Sequence, residues 1–223
     1  MPIVRKRIVK DYLVLCEGKD TELFLISYLN SDSLSYDPRF SNDIQTLSFN
    51  GVSELAPFIQ NLTNMEGFEG VKSLLVLRDA ETDVSSAEND IRKAFLRSGL
   101  LAPSSCSSWD STGSPAVAYT LLPSCDSAPI AGALEDLCWQ ILAGDGSDEV
   151  SEEAERFIER VEEVQPTRIV SHRHKSRLHA YLSASDSFVS LKIGEAAKAG
   201  AFDWQSERLD PLRKILAEGL QFL

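Results

Sequence analysis

The sequence predicts an α/β protein, with a small parallel sheet flanked by helices and a helical C-terminal half. Three observations lead there. Tyr12–Cys16 and Leu74–Leu77 are short unbroken apolar runs, the mark of strands covered on both faces. Amphipathic helical patterns fill the gaps between such runs. Beyond about residue 131 the chain reads as mostly helical.

Taken in order, Tyr12–Cys16 is the first strand, and Asp20 is a plausible N-cap for a helix over Thr21–Leu29. Ile44–Phe49 alternates and ends in Asn50-Gly51, as a less buried strand does. Leu55, Phe58, Ile59 and Leu62 share one helical face, and Ala87, Ile91, Ala94 and Phe95 share another after the third strand. Ala116–Leu122 is a fourth strand, preceded by a Ser- and Pro-containing stretch, Ala102–Pro115, expected to be a long mobile loop. This β-α-β-α-β-α-β order calls for right-handed crossovers with helices on both faces.

In the second half, Leu134, Leu137, Cys138, Ile141 and Leu142 mark one helix. Val150, Ala154, Phe157, Val161 and Val164 are expected as the apolar face of a second, whose other face is glutamate-rich. Further helices are expected over His172–Ser183 and Pro211–Leu220. No linker separates the halves, so one domain over 1–223 is expected, with an α/β core over about 8–123 and a helical extension over about 131–223 packed on it.

Composition narrows the function. With 223 residues, 43% hydrophobic and 25% charged, the chain is of ordinary globular type. No apolar run is long enough for a membrane span, and the basic start MPIVRKRIVK lacks a signal-peptide core, so a cytoplasmic protein with no membrane partner is expected. Four cysteines without CxxC spacing and three histidines argue against zinc. A net charge of −12 opposes broad coating of nucleic acid, yet bound divalent cations can supply positive charge where phosphate sits. GKDT lacks the upstream glycines of a phosphate-cradling loop, and no GxGxxG follows a strand.

Two expected strand ends carry acids. Glu17 ends the first, and Asp79, Glu81 and Asp83 follow the third. In open α/β sheets ligands sit outside the carboxyl ends of the strands. If the segment stays extended, its period of two aims all three downstream acids one way. Clustered carboxylates repel one another, and a divalent metal such as Mg²⁺ relieves them. Asp79 and Asp83 are alternatively helix caps.

A strand ending in Glu-Gly-Lys-x-[Asp/Glu], with a later strand ending in an Asp-x-Asp-like triplet, resembles the Toprim domain of topoisomerases, primases and OLD-family nucleases. LCEGKDTELFL, LLVLRDAETD, GALEDLCW and KIGEAAKAGAFDW together are similar to an uncharacterised family of stand-alone Toprim-like proteins, over Leu15 to Trp204. The resemblance implies a Toprim-like, Rossmann-like fold with Mg²⁺ or Mn²⁺ as cofactor. It implies that Glu17 binds metal or acts as general acid/base, and that Asp79 is the first acid of the triplet. Position 81 is Glu where Asp is usual, and Asp83 offers a further acid. OLD-type nucleases add downstream acids, which Glu135 matches, and a lysine, for which Lys192 is the candidate. Glu135 and Asp136 also suit a helix N-terminus through its dipole.

For phosphate, the cations are Lys19, Arg78 and the segment Ser171–His179, in which Arg173, Lys175 and Arg177 stand at helical spacing. Two readings of Arg78 stand, a phosphate contact or a partner for a nearby acid. Two stand for the segment as well, a backbone grip or pairing with the glutamate-rich helix. The function expected is metal-dependent phosphodiester hydrolysis on nucleic acid, DNA or RNA, rather than strand passing or priming. The alternative is a non-catalytic Toprim-like binding or regulatory module, in a defence or toxin–antitoxin-like system. A homo-oligomer is left open.

Overall fold

The computed structural model describes residues 7–144, 149–165 and 172–223. Ser171 and most of the basic N-terminal run lie outside the described residues. Among these residues the elements run β1 (Tyr12–Cys16), α1 (Lys19–Leu29), α2 (Arg39–Asn42), β2 (Ile44–Ser48), α3 (Leu55–Leu62), β3 (Ser73–Asp79), α4 (Val84–Arg97) and β4 (Ala116–Leu122). There follow α5 (Leu134–Ala143), α6 (Glu149–Val164), α7 (Arg173–Ser183), α8 (Ile193–Lys198) and α9 (Asp210–Gly219). No described helix is long and apolar enough to cross a membrane.

The four strands form one sheet in the order β2-β1-β3-β4, every neighbouring pair parallel. β1 and β3 are central, which is why their apolar runs are unbroken: every residue of β1 is buried. Alternate side chains feed two cores. Tyr12, Val14, Cys16, Leu75 and Leu77 meet α1, α5, α7, α8 and α9, whereas Leu13, Leu15, Leu74 and Val76 meet α3 and α4. The helical C-terminal half therefore shares one hydrophobic core with the sheet.

The order fixes a crevice. From β1 the chain crosses through α1 to β2 on one side, while from β3 it crosses through α4 to β4 on the other. The carboxyl ends of β1 and β3 thus flank the topological switch point.

The stretch Ala102–Pro115 is irregular but pinned, contrary to the mobile loop expected. β4 is an edge strand, and its outward backbone groups need partners. Ser107 N–H donates to Tyr119 O at 2.8 Å, and Asp110 exchanges two backbone bonds with Val117 at 2.8 and 2.9 Å. Trp109 donates to Ile215 O at 3.1 Å and packs edge-on to Tyr12.

α1 is not capped by Asp20. Its N-cap is Gly18, and Asp20 accepts the Gly194 N–H at 3.0 Å, tying α8 to α1. The apolar face of α6 is also rotated from expectation. Ser151, Ala154 and Ile158 are buried, while Val150, Phe157 and Val164 are exposed.

α9 ends where no side chain fits. A Cβ on Gly219 would lie 2.5 Å from the Trp109 and Tyr12 rings. Gly219→Ala is expected to destabilise the protein by about 2–3 kcal/mol through overpacking, read as a lower denaturation midpoint with unchanged slope.

Candidate metal centre

β1 and β3 pair in register, Cys16 opposite Leu77, so the residues just beyond them are neighbours across the crevice. Glu17 N–H donates to Leu77 O at 3.2 Å, and Asp79 N–H donates to Glu17 Oε2 at 3.3 Å. Glu81 joins them. One carboxylate oxygen from each of Glu17, Asp79 and Glu81 lies within 4.8 Å of the other two.

Glu81 arrives by a turn, not by the extended period of two. Its φ is +56°, and its backbone N–H and C=O exchange bonds with Gly132 at 2.9 and 2.8 Å. Gly132 sits at φ +141°, and a Cβ there would lie 2.8 Å from Asp136 Oδ2 and 2.9 Å from Pro123 Cδ. The turn sends Asp83 elsewhere, to cap α4 by accepting the Ser86 N–H at 3.1 Å.

α5 points its N-terminus at the cluster. Leu134 N–H donates to Asp79 Oδ1 at 3.0 Å. Asp136 accepts the Ala133 N–H at 2.9 Å and so serves the helix terminus. Glu135, on the same first turn, is buried, and its charge helps raise the pKa of Asp79.

Burial first, then the charges of Glu17 and Glu135, push Asp79 up from 3.8 to about 8, against the pull of the Leu134 N–H. Burial likewise raises Glu17, and Arg78 and the Asp79 N–H oppose that rise. Arg78 is 4% exposed; its Nε stands 3.7 Å from Glu17 Oε2 and has no hydrogen-bond partner. Its Nη1 lies 3.7 Å from Asp90 and 3.3 Å from Ala87 O. A cation this enclosed backs the acids and is closed to bulk phosphate.

Of the other expected cations, Lys175 reaches the site: its Nζ is 3.5 Å from Glu135 Oε1, and its charge acts on Glu17. Arg173 is held by Glu155 and Glu162, both at 2.5 Å, with Glu159 at 3.8 Å. Arg177 binds Asp136 at 2.8 Å and lies over the Trp139 ring at 4.9 Å. Arg173 follows the reading in which the basic segment pairs with the glutamate-rich helix, whereas Arg177 pairs first with α5 and reaches Glu155 of that helix only at 3.8 Å. Lys19 pairs with Glu22 at 2.8 Å. Lys192 precedes α8 at the same end of the sheet, two residues from the Gly194 amide held by Asp20, and is exposed.

Three converging carboxylates, one of them at the border of neutrality, form an all-oxygen donor set, which suits Mg²⁺ or Mn²⁺ rather than a thiophilic metal. Sequence reasoning did not assign the Glu81–Gly132 turn; the only signal for it was Gly132 at the head of GALEDL.

Fold and site together define an α/β protein with an acidic, oxygen-only centre at the switch point of a parallel sheet. The chain belongs to the family described as a protein of unknown function (DUF3226), which matches residues 11–221. No curated protein and no solved structure gives a match.

Proposed function

We propose that this protein is a Toprim-like, metal-dependent phosphodiesterase that hydrolyses nucleic acid. The observation that carries the reading is the meeting of Glu17, Asp79 and Glu81 at the switch-point crevice, backed by the buried Arg78. Glu17, Asp79 and Glu81 would hold Mg²⁺ or Mn²⁺, with Glu135 beside them. When bound, such an ion polarises a phosphoryl oxygen and lowers the pKa of its water.

The chain supplies the remainder. Glu17 has a raised proton affinity and the Asp79 N–H holds its Oε2, so it can take the proton of an attacking water. Lys175 brings a half-exposed cation to the rim, where it can stabilise developing negative charge. The N-terminus of α5 adds backbone N–H groups and a favourable dipole. The four cysteines are free and buried, which supports a reducing, cytoplasmic setting.

One observation favours the alternative, a non-catalytic binding or regulatory module. Arg173 and Arg177, two of the candidates for a phosphate-backbone grip, are held by the protein's own acids. Incubation with single- and double-stranded DNA and RNA in Mg²⁺ and Mn²⁺ separates the two. Cleavage is expected, lowered about 10²–10⁴-fold in Glu17→Gln, the range for loss of a general base. Substrates left whole by the parent protein favour the module, and substrates cut equally by the variant remove Glu17 from the chemistry.

A further inference from the structure

We propose that Arg177 is a positioning residue for the metal centre proposed above, on which reading the inference rests. It acts through Asp136, fixing the head of α5 where Glu81 and Asp79 need it.

Three consecutive backbone N–H groups make the connection. Gly132 donates to Glu81 O at 2.8 Å, Ala133 to Asp136 Oδ2 at 2.9 Å, and Leu134 to Asp79 Oδ1 at 3.0 Å. The middle bond thus lies one residue from each of the two that reach the centre. Asp136 Oδ2 also sits against Gly132, where a Cβ would lie 2.8 Å from it. The pose of this one carboxylate sets where the turn lies.

That pose is fixed from α7. Asp136 Oδ1 accepts from Arg177 Nη2 at 2.8 Å, and the two side chains are only 21 and 22% exposed. Arg177 is itself held on several sides. Its guanidinium lies over the Trp139 ring at 4.9 Å, its Nη1 stands 3.8 Å from Glu155 Oε2 on α6, and Leu178 beside it is fully buried. A planar cation that stacks on a ring while bridging two helices is a task for arginine rather than lysine. Partners that hold the ligands of a metal from behind change its affinity by about 10–100-fold when removed.

Charge and position make opposite demands here. By charge alone, removing a cation beside an acidic cleft leaves the cleft more negative and tightens its hold on a divalent ion. If Arg177 positions the head of α5, its removal loosens Glu81 and the Leu134 N–H, and binding weakens.

Titration of the full chain with Mn²⁺, following the free ion by electron paramagnetic resonance, reads that sign. Arg177→Met should bind Mn²⁺ about tenfold more weakly than the parent. Asp136→Asn, which keeps an acceptor for the Ala133 N–H, should lose about as much. The double variant should lose no more than either single one, because both changes break the same link. Arg177→Lys, which keeps the charge without the planar fork, should fall between Arg177→Met and the parent. In the metal-free protein, amide exchange should quicken at Gly132, Ala133 and Leu134 in both single variants and stay unchanged in β1.

Unchanged or tighter Mn²⁺ binding in Arg177→Met, losses that multiply in the double variant, or exchange quickened equally throughout the chain would overturn the positioning role and leave the centre standing. A parent protein that binds no Mn²⁺ overturns the centre, and the role of Arg177 with it.

Discussion

Asp79→Asn is expected to make the metal-free protein more stable at pH 8, while abolishing its stabilisation by Mg²⁺ or Mn²⁺. The carboxyl is pushed from its ordinary 3.8 to about 8 by burial and by Glu17 and Glu135. Between those values the folded state holds a proton that the unfolded chain releases. The stability this group contributes is therefore complete below about pH 4 and is lost as pH rises to 8.

At about 1.4 kcal/mol per tenfold change in proton affinity, the ionised group costs at most roughly 6 kcal/mol. Relaxation and water entry bring the gain in the variant to about 2–3 kcal/mol, or roughly 4–12 °C in Tm for a chain of this length. Asparagine keeps an acceptor for the Leu134 N–H, so the α5 contact survives. The gap between variant and parent should open from pH 4 upward. A divalent cation should raise the parent's Tm by mass action and leave the variant unmoved. Equal melting curves across pH, or equal metal responses, would remove Asp79 from the centre.

Arg78→Met is expected to be the most destabilising change at the site. Arg78 is almost wholly buried between Glu17 and Asp90, and Glu17 has only 14% of its side chain exposed. Removing one member of a buried ion pair costs about 3–5 kcal/mol, because the remaining charge is left without compensation. A fall in Tm of roughly 6–20 °C follows for a chain of this size. Glu17→Gln in the same chain should recover a large part of it, since no charge is then stranded. If the two changes add without coupling, Arg78 does not act through Glu17.

Much of this was legible in the chain. β1 and β4 match their expected ranges residue for residue, because a strand covered on both faces leaves an unbroken apolar run. Glu17 and Asp79 stand where such runs stop. That alone places both at the carboxyl edge of the sheet, and the β1–β3 pairing makes them neighbours.

What the sequence hid is non-local. Glu81 is aimed by Gly132, 51 positions later, and nothing in VLRDAETD marks a left-handed residue. Asp83 reads as the third member of an alternating triplet until the turn removes it to a helix cap. On α6 both apolar strips satisfy helical periodicity, and only the position of α7 decides which is covered. The loop before β4 looks loose because its anchors are backbone groups of an edge strand, which no side-chain pattern announces.

The reciprocal pair of backbone bonds between Glu81 and Gly132 has a mechanical consequence. The crevice is assembled like a vice, with one jaw on the sheet and the other on the helical half. Glu17 and Asp79 are fixed by the parallel ladder, but the third acid rides on a bridge whose far side belongs to the segment leading into α5. That same segment delivers the Leu134 N–H to Asp79. The strands alone would leave two acids facing an open edge. Displacement of α5 relative to the sheet would spread the jaws and release Glu81 and the helix terminus in a single movement, so the aperture of the site is set by the seating of the C-terminal half.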